Sequence, residues 1–86
     1  MRQELEKILG EEFRYLAIET RDRLELTQRE MGEQLQIGES SYSDLETGRI
    51  ICASALTAIL LLRMQRDPNV FLERVAERFT KELQPV

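Results

Sequence analysis

The sequence predicts an all-α fold, a compact domain of five helices. Apolar residues recur every three or four positions over 5–24 and again over 68–83, which is the spacing of one face of a helix. The chain has only four glycines and two prolines, and Gly48 and Pro68 stand where helices would end or begin. Its 86 residues, 42% of them hydrophobic and 33% charged, suit one globular domain spanning 1–86.

The first helix is expected to run from Leu5 to Leu24. Its apolar stripe consists of Leu5, Leu9, Phe13, Leu16, Ala17 and Leu24, with Thr20 on the same side. Gly10 interrupts the stripe without changing its phase, so we expect a continuous helix despite the roughly 1 kcal/mol cost of a helical glycine. Three further residues lie off the stripe and are expected to pack under the last helix or to contact another subunit: Ile8, Tyr15 and Ile18.

Two short helices follow, joined by a tight turn. The segment "TQRE" predicts a capping box, in which Thr27 and Glu30 satisfy free backbone donors at the start of the second helix. Gly32 lacks a side chain and so permits close approach of the third helix, which is expected from Glu39 to a stop at Gly48. The residues expected to face inward from this pair are Met31, Leu35, Tyr42 and Leu45.

The fourth helix is expected over Ala53 to Gln65, with apolar residues all round its axis, which predicts burial on most faces. Either the neighbouring helices cover it, or a subunit interface also contributes. "RDPN" ends this helix, and a fifth is expected from about Pro68 to Leu83. Its predicted inward stripe is Phe71, Leu72, Val75, Ala76, Phe79 and Leu83; charged residues outside it include Glu73, Arg74, Glu77, Arg78 and Lys81.

Composition argues against several classes of function. There is no His, and Cys52 has no imidazole to activate it, so an enzyme is not expected. Adjacent acids such as Glu11 and Glu12 are expected to form a solvated face, and neither metal-ligand spacing nor any cofactor motif is present. The longest uncharged run, 50–62, is well short of the roughly 20 residues of a membrane span. Together with the charged start and the single cysteine, it predicts a cytoplasmic protein without membrane contact.

The central segment carries a specific pattern of residues. Arg21, Leu26, the pair Thr27–Gln28, the pair Met31–Gly32, and Glu46 with Gly48 stand at set offsets, and "GESSYSDLETGR" places a Tyr four residues before that Glu. The pattern resembles the helix-turn-helix of the Cro and lambda-repressor type, the xenobiotic response element family. The resemblance covers about 13–62, the expected helix-turn-helix core, and leaves the C-terminal helix at about 68–83 outside it. It implies an ion pair between Arg21 and Glu46.

The same resemblance implies a DNA-binding transcriptional regulator that recognises an operator in double-stranded DNA, as a homodimer on two half-sites. Phosphate contacts would come from Gln28 and its backbone amide, Arg29, Ser40 or Ser41, and Arg49. Glu39 and Asp44 would face the major groove, in the same helix as Ser43. A carboxylate there accepts a hydrogen bond from the cytosine N4 amino group, although Glu39 has the alternative of complementing the helix dipole.

The segment 26–49 is nevertheless acidic, with five carboxylates against two arginines, and the whole chain has a formal charge of −4. This charge opposes nonspecific nucleic-acid binding. A second hypothesis therefore stands beside the regulator: a helix-turn-helix fold that serves as a protein-interaction module, an adaptor or an antitoxin-like partner, with weak or no DNA binding.

Overall fold

A computed structural model describes residues 1–85, which form five helices and no strand. The helices are α1 (Arg2–Arg23), α2 (Gln28–Gln34), α3 (Glu39–Glu46), α4 (Ala55–Arg63) and α5 (Pro68–Leu83). The all-α prediction is confirmed. Within this described part of the chain, no helix is both long and apolar enough to cross a membrane.

Helix α1 is continuous through Gly10, as its unbroken stripe predicted. A Cβ atom added at Gly10 would meet only Ile51, at 3.7 Å, so the glycine is not needed for packing. The helix begins at Arg2, three residues before the expected Leu5. The Arg2 guanidinium donates to Glu6 at 2.6 Å, a local i to i+4 pair that suits the added turn.

The α2–α3 pair is closely packed. The predicted capping box is confirmed: the Glu30 N–H donates to the Thr27 hydroxyl at 3.0 Å, and the Thr27 N–H donates to the Glu30 carboxylate at 2.9 Å. A Cβ at Gly32 would lie 2.9 Å from the carbonyl oxygen of Ile37, so the turn can approach α2 only because this residue is glycine.

Helices α1, α2 and α3 all end in the same way, with a left-handed residue directly after the cap. These residues are Glu25, Gln36 and Gly48, with φ of 54°, 61° and 78°. After α2, the Ile37 N–H donates back to the Gly32 carbonyl at 2.9 Å, which reverses the chain and starts the approach to α3. Two of the three positions are not glycine, although the left-handed conformation favours it.

The core lies between α1, α2, α3 and the middle of α4. The side chains that have no exposed surface include those of Ala17, Met31, Leu35, Tyr42, Leu45 and Leu61. Helix α5 packs across α1, where the rings of Phe13 and Phe71 lie 4.9 Å apart between centroids, with Val75 buried one turn further on. The α1–α5 contact thus extends the core along α1.

The prediction that α4 is buried on most faces was wrong. Only Thr57 and Leu61 of this helix are buried, whereas Leu56 and Ile59 are each 62% exposed. The five helices of residues 1–85 provide no further layer over the outer side of α4. Four other apolar residues are also more exposed than their stripes predicted: Leu24, Leu72, Ala76 and Leu83. Of the off-stripe residues of α1, Ile8 is buried, Ile18 is half-buried and Tyr15 is exposed.

The prediction of a solvated face at Glu11 and Glu12 was wrong for Glu12. Its side chain is 7% exposed and lies between α1 and α5. There it accepts hydrogen bonds from the Arg74 Nε at 3.0 Å and from an Arg78 nitrogen at 2.8 Å, while Arg78 also reaches Glu11 at 3.1 Å. Burial of this carboxylate is tolerated because two arginines from the other helix pair with it.

Candidate nucleic-acid interface

One buried carboxylate, that of Glu46 in α3, is hydrogen-bonded to side chains of both α1 and α2. The Arg21 Nε donates to it at 2.5 Å and a second Arg21 nitrogen at 3.2 Å, a two-point contact that fixes the angle of the planar guanidinium. The Tyr42 hydroxyl and the Gln28 amide donate to the same carboxylate. One side chain from α1, one from α2 and two from α3 thus form a single network, and the structure brings together the predicted pair Arg21 and Glu46.

This network perturbs the ionisation of its members. Burial alone would raise the pKa of the Glu46 carboxyl, but the hydrogen bonds from Arg21, Tyr42 and Gln28 together outweigh it and hold that pKa below its usual value. Burial, reinforced by the bond to Glu46, raises the pKa of the Tyr42 hydroxyl well above its usual value. At neutral pH the carboxylate is therefore charged and the tyrosine is a donor, as the observed bonds require.

Two predicted phosphate-contacting residues lie in the first turn of α2. Arg29 is exposed, and its Nε lies 3.7 Å from a Glu33 oxygen. The Gln28 side chain is instead directed inward, where its amide nitrogen donates to Glu46 at 3.2 Å. Of the two Gln28 groups expected at the phosphate, the backbone N–H has no internal partner within residues 1–85, whereas the side chain does.

The outer side of α3 carries the other predicted contact residues. Glu39, Ser40 and Ser41 are exposed in its first turn, and their side chains make no hydrogen bond within the described chain. Ser43 and Asp44 are half-buried one turn further on. A short polar surface is therefore open to solvent along one side of this helix.

Arg49, the last predicted contact residue, follows α3 directly. Its guanidinium lies 3.8 Å from the Asp44 carboxylate, and 78% of its side chain is exposed. Both arginines predicted for this surface therefore have a carboxylate neighbour within 4 Å, which lowers the positive potential that each presents to solvent.

Sequence reasoning missed Arg14, a cation beside the end of α3. Its Nε donates to the main-chain carbonyl of Glu46 at 2.8 Å, and its exposed guanidinium lies 6.0 Å from the ring centre of Tyr15. Its position in the sequence could have indicated this role. Arg14 lies seven residues, or about two helical turns, before Arg21, so both arginines are on the side of α1 that contacts α3.

Comparison with protein-family models finds a match over residues 8–78 of this chain to a model described as a helix-turn-helix domain. The matched range begins in α1 and ends in α5, so it contains the Glu46 network and the exposed side of α3. Searches among curated proteins and among solved structures find no match.

Proposed function

Because this chain belongs to the helix-turn-helix domain family, we propose that it is a sequence-specific transcriptional regulator that binds an operator in double-stranded DNA as a homodimer. The observation that carries the proposal is the outer side of α3. Its polar residues Glu39, Ser40 and Ser41 are exposed and make no internal side-chain hydrogen bond within residues 1–85, although the rest of the helix is held tightly through Tyr42 and Glu46. Such a surface is available to an external partner.

The contacts on this surface divide into two kinds. Arg29, Arg49, the Gln28 backbone amide and a serine hydroxyl of α3 bind phosphate and set the position of the protein on the duplex. Asp44 accepts a hydrogen bond from the N4 amino group of a cytosine and so contributes specificity, with Ser43 beside it in the groove. Glu39, in the first turn, either makes a similar contact or only complements the helix dipole.

The sparse positive charge has a measurable consequence. Two arginines per subunit release few counterions, so the logarithm of the binding constant is expected to fall with the logarithm of salt concentration with a slope of only about −2 per subunit. A monomer would bind weakly at physiological salt. A dimer doubles the contacts, and this is one reason to propose it.

The exposed side of α4 supports a homodimer. Leu56 and Ile59 are each 62% exposed and one turn apart, and such large apolar side chains favour burial against a second copy. The test is the solution mass measured by light scattering. Wild type is expected at about twice 10.1 kDa, and Ile59→Glu at about the monomer mass. Val70→Glu is the matched control, since Val70 is 60% exposed on another helix and should not alter the mass.

The experiment that tests the DNA proposal begins with selection of bound genomic fragments. The selected operator and random DNA then compete for wild type, Glu39→Gln and Asp44→Gln at fixed salt. If Asp44 contacts a cytosine, its replacement should reduce discrimination at one operator position by roughly 1 to 3 kcal/mol. Uniformly tighter binding to all sequences would instead mean that Asp44 only repels phosphate.

The alternative function is a protein-interaction module, an adaptor or an antitoxin-like partner. The observation that favours it is the acidity of the α2–α3 surface, where Arg29 and Arg49 each lie close to a carboxylate. If wild type and both glutamine variants show no DNA binding even at low salt, this alternative replaces the regulator.

A further inference from the structure

A cavity of about 270 Å³ lies between α1, the α4–α5 connection and α5. None of the described residues that line it belongs to α2 or α3, so it is separate from the candidate nucleic-acid interface. Its walls combine exposed apolar side chains with charged ones. Its apolar lining includes Tyr15, Leu16, Val70 and Phe71, and its charged lining includes Arg23 and Arg66.

The apolar part of this cavity lacks a partner within the fold. Leu16 and Phe71 lie at its base, where α5 crosses α1. At the edge, Tyr15 is 51% exposed and Val70 is 60% exposed. Large side chains at this exposure, arranged around a concavity, are typical of a site that buries an apolar group of a ligand.

The charged part of the cavity presents two guanidinium groups, of Arg23 and Arg66, that form no ion pair within the described residues. Arg23 and Arg66 have no carboxylate within 4 Å in the described chain, and the Arg23 guanidinium is held at the edge by a 3.2 Å bond to the Met64 carbonyl. Two of the three lining carboxylates already have partners. Glu12 accepts from two arginines, and Asp67 accepts from the Asn69 N–H at 3.0 Å. Since the Asn69 N–H is neutral, Asp67 keeps its charge, and with Glu19 it balances the two arginines overall. Neither carboxylate lies within 4 Å of the Arg23 or Arg66 guanidinium, so the remaining N–H donors of these two groups are open to a ligand.

We propose that this cavity binds a small carboxylate with an apolar body of one or two rings. A guanidinium binds a carboxylate in a two-point contact that a neutral group cannot reproduce. An apolar cavity of about 150 Å³ holds benzene, so the observed volume accommodates a two-ring body. The carboxylate lies between Arg23 and Arg66, and the rings contact Tyr15, Val70 and Phe71. This site does not depend on the proposed DNA function.

The test uses 2-naphthoate and its uncharged analogue 2-naphthamide as probes of the full chain. Backbone amide signals are followed by nuclear magnetic resonance during titration with each probe. Naphthoate should shift the signals of residues 15–23 and 65–71 together, and naphthamide should bind about tenfold more weakly, because it lacks a charge-assisted hydrogen bond. Equal affinity of the two probes, shifts scattered over the surface, or no shift up to the solubility limit of naphthoate would overturn the proposal.

Two neighbouring arginines provide a matched pair of variants. Arg66→Gln should weaken naphthoate binding about tenfold and leave naphthamide binding unchanged, since only the charged contact is removed. Arg63→Gln, an exposed arginine of α4 outside the cavity lining, should alter neither. Both residues are exposed, so the variants are expected to fold. If the two variants bind naphthoate equally well, the carboxylate contact proposed here is wrong.

Discussion

Helix α1 is joined to α3 and to α5 in chemically similar ways, but the two contacts differ in depth. On the α3 side, Glu46 accepts from Arg21, Tyr42 and Gln28, and the adjoining core has no exposed surface at Met31 or Leu45. On the α5 side, Glu12 accepts only from arginines, of which Arg74 is 58% exposed and Arg78 is 37% exposed. Both helices therefore contact α1 through a buried glutamate, but the partners on the α3 side are less exposed, since Tyr42 is fully buried and Arg21 is 30% exposed.

This difference indicates which helix contact of α1 is the more rigid. A buried carboxylate that has lost its partner cannot recover hydration, whereas an exposed arginine can. We therefore expect the α1–α3 junction to tolerate little change and the α1–α5 junction to tolerate more. The following predictions test that difference, and all compare free energies of unfolding in urea at one protein concentration, because self-association would add to stability.

The largest effect is expected at Arg21 and Glu46. Arg21→Ala leaves the Glu46 charge buried with only neutral donors, and either Arg21→Ala or Glu46→Ala should lower stability by about 3 kcal/mol. The double variant should lose less stability than the sum of the two single losses, because either single substitution already removes the Arg21–Glu46 interaction. Additive losses would show that the two residues act independently. The proposed difference between the α1–α3 and α1–α5 contacts would then be wrong.

Acid should remove much of the Glu46 contribution. The pKa of Glu46 is lowered in the folded state, so its stabilisation is complete above the unfolded pKa of about 4.3 and is lost as pH falls through the lower folded value. The stability difference between wild type and Glu46→Gln should therefore be constant from pH 7 to about 5 and shrink below about 4. A difference that stays constant down to pH 3 would contradict the assignment of Glu46 as the titrating group.

The two helical glycines should respond in opposite directions. Gly32→Ala places a Cβ 2.9 Å from the Ile37 carbonyl, a backbone atom of the α2–α3 turn, and should cost about 1 to 2 kcal/mol even after the helix-propensity gain. Gly10→Ala meets only the Ile51 side chain at 3.7 Å and should stabilise by up to about 1 kcal/mol. Equal effects at the two sites would mean that the turn relaxes more easily than its geometry indicates.

The smallest effect is expected at the α1–α5 contact. Glu12→Gln keeps the shape of the side chain and leaves two arginines that water can reach, so the loss should be about 1 kcal/mol. It should shrink further in 1 M salt, because the exposed partners are screened. The control is Glu46→Gln, whose larger loss should change little with salt. If Glu12→Gln proves the more costly of the two, the exposure of its arginine partners does not govern the strength of the contact.

Part of the candidate interface could be predicted from local patterns. The capping box at Thr27 and Glu30 requires only two side chains and two amides of the same turn, so its sequence suffices to define it. The inward positions of Met31 and Leu45 follow from helical spacing in the same way. The direction of the Gln28 side chain could not be predicted, because it depends on Glu46, eighteen residues later, and on the angle between α2 and α3.

The sequence alone suffices to predict the helices, because periodicity, capping and helix-ending residues act within a few positions of one another. It also determined the proximity of Arg21 and Glu46, through a pattern of offsets that resembles a known family. The burial of Glu12 and the exposure of Leu56 and Ile59, in contrast, depend on how the helices pack against one another. Helical spacing identifies the apolar side of each helix but not which neighbour covers it, and burial is set by the area that the other helices remove from water.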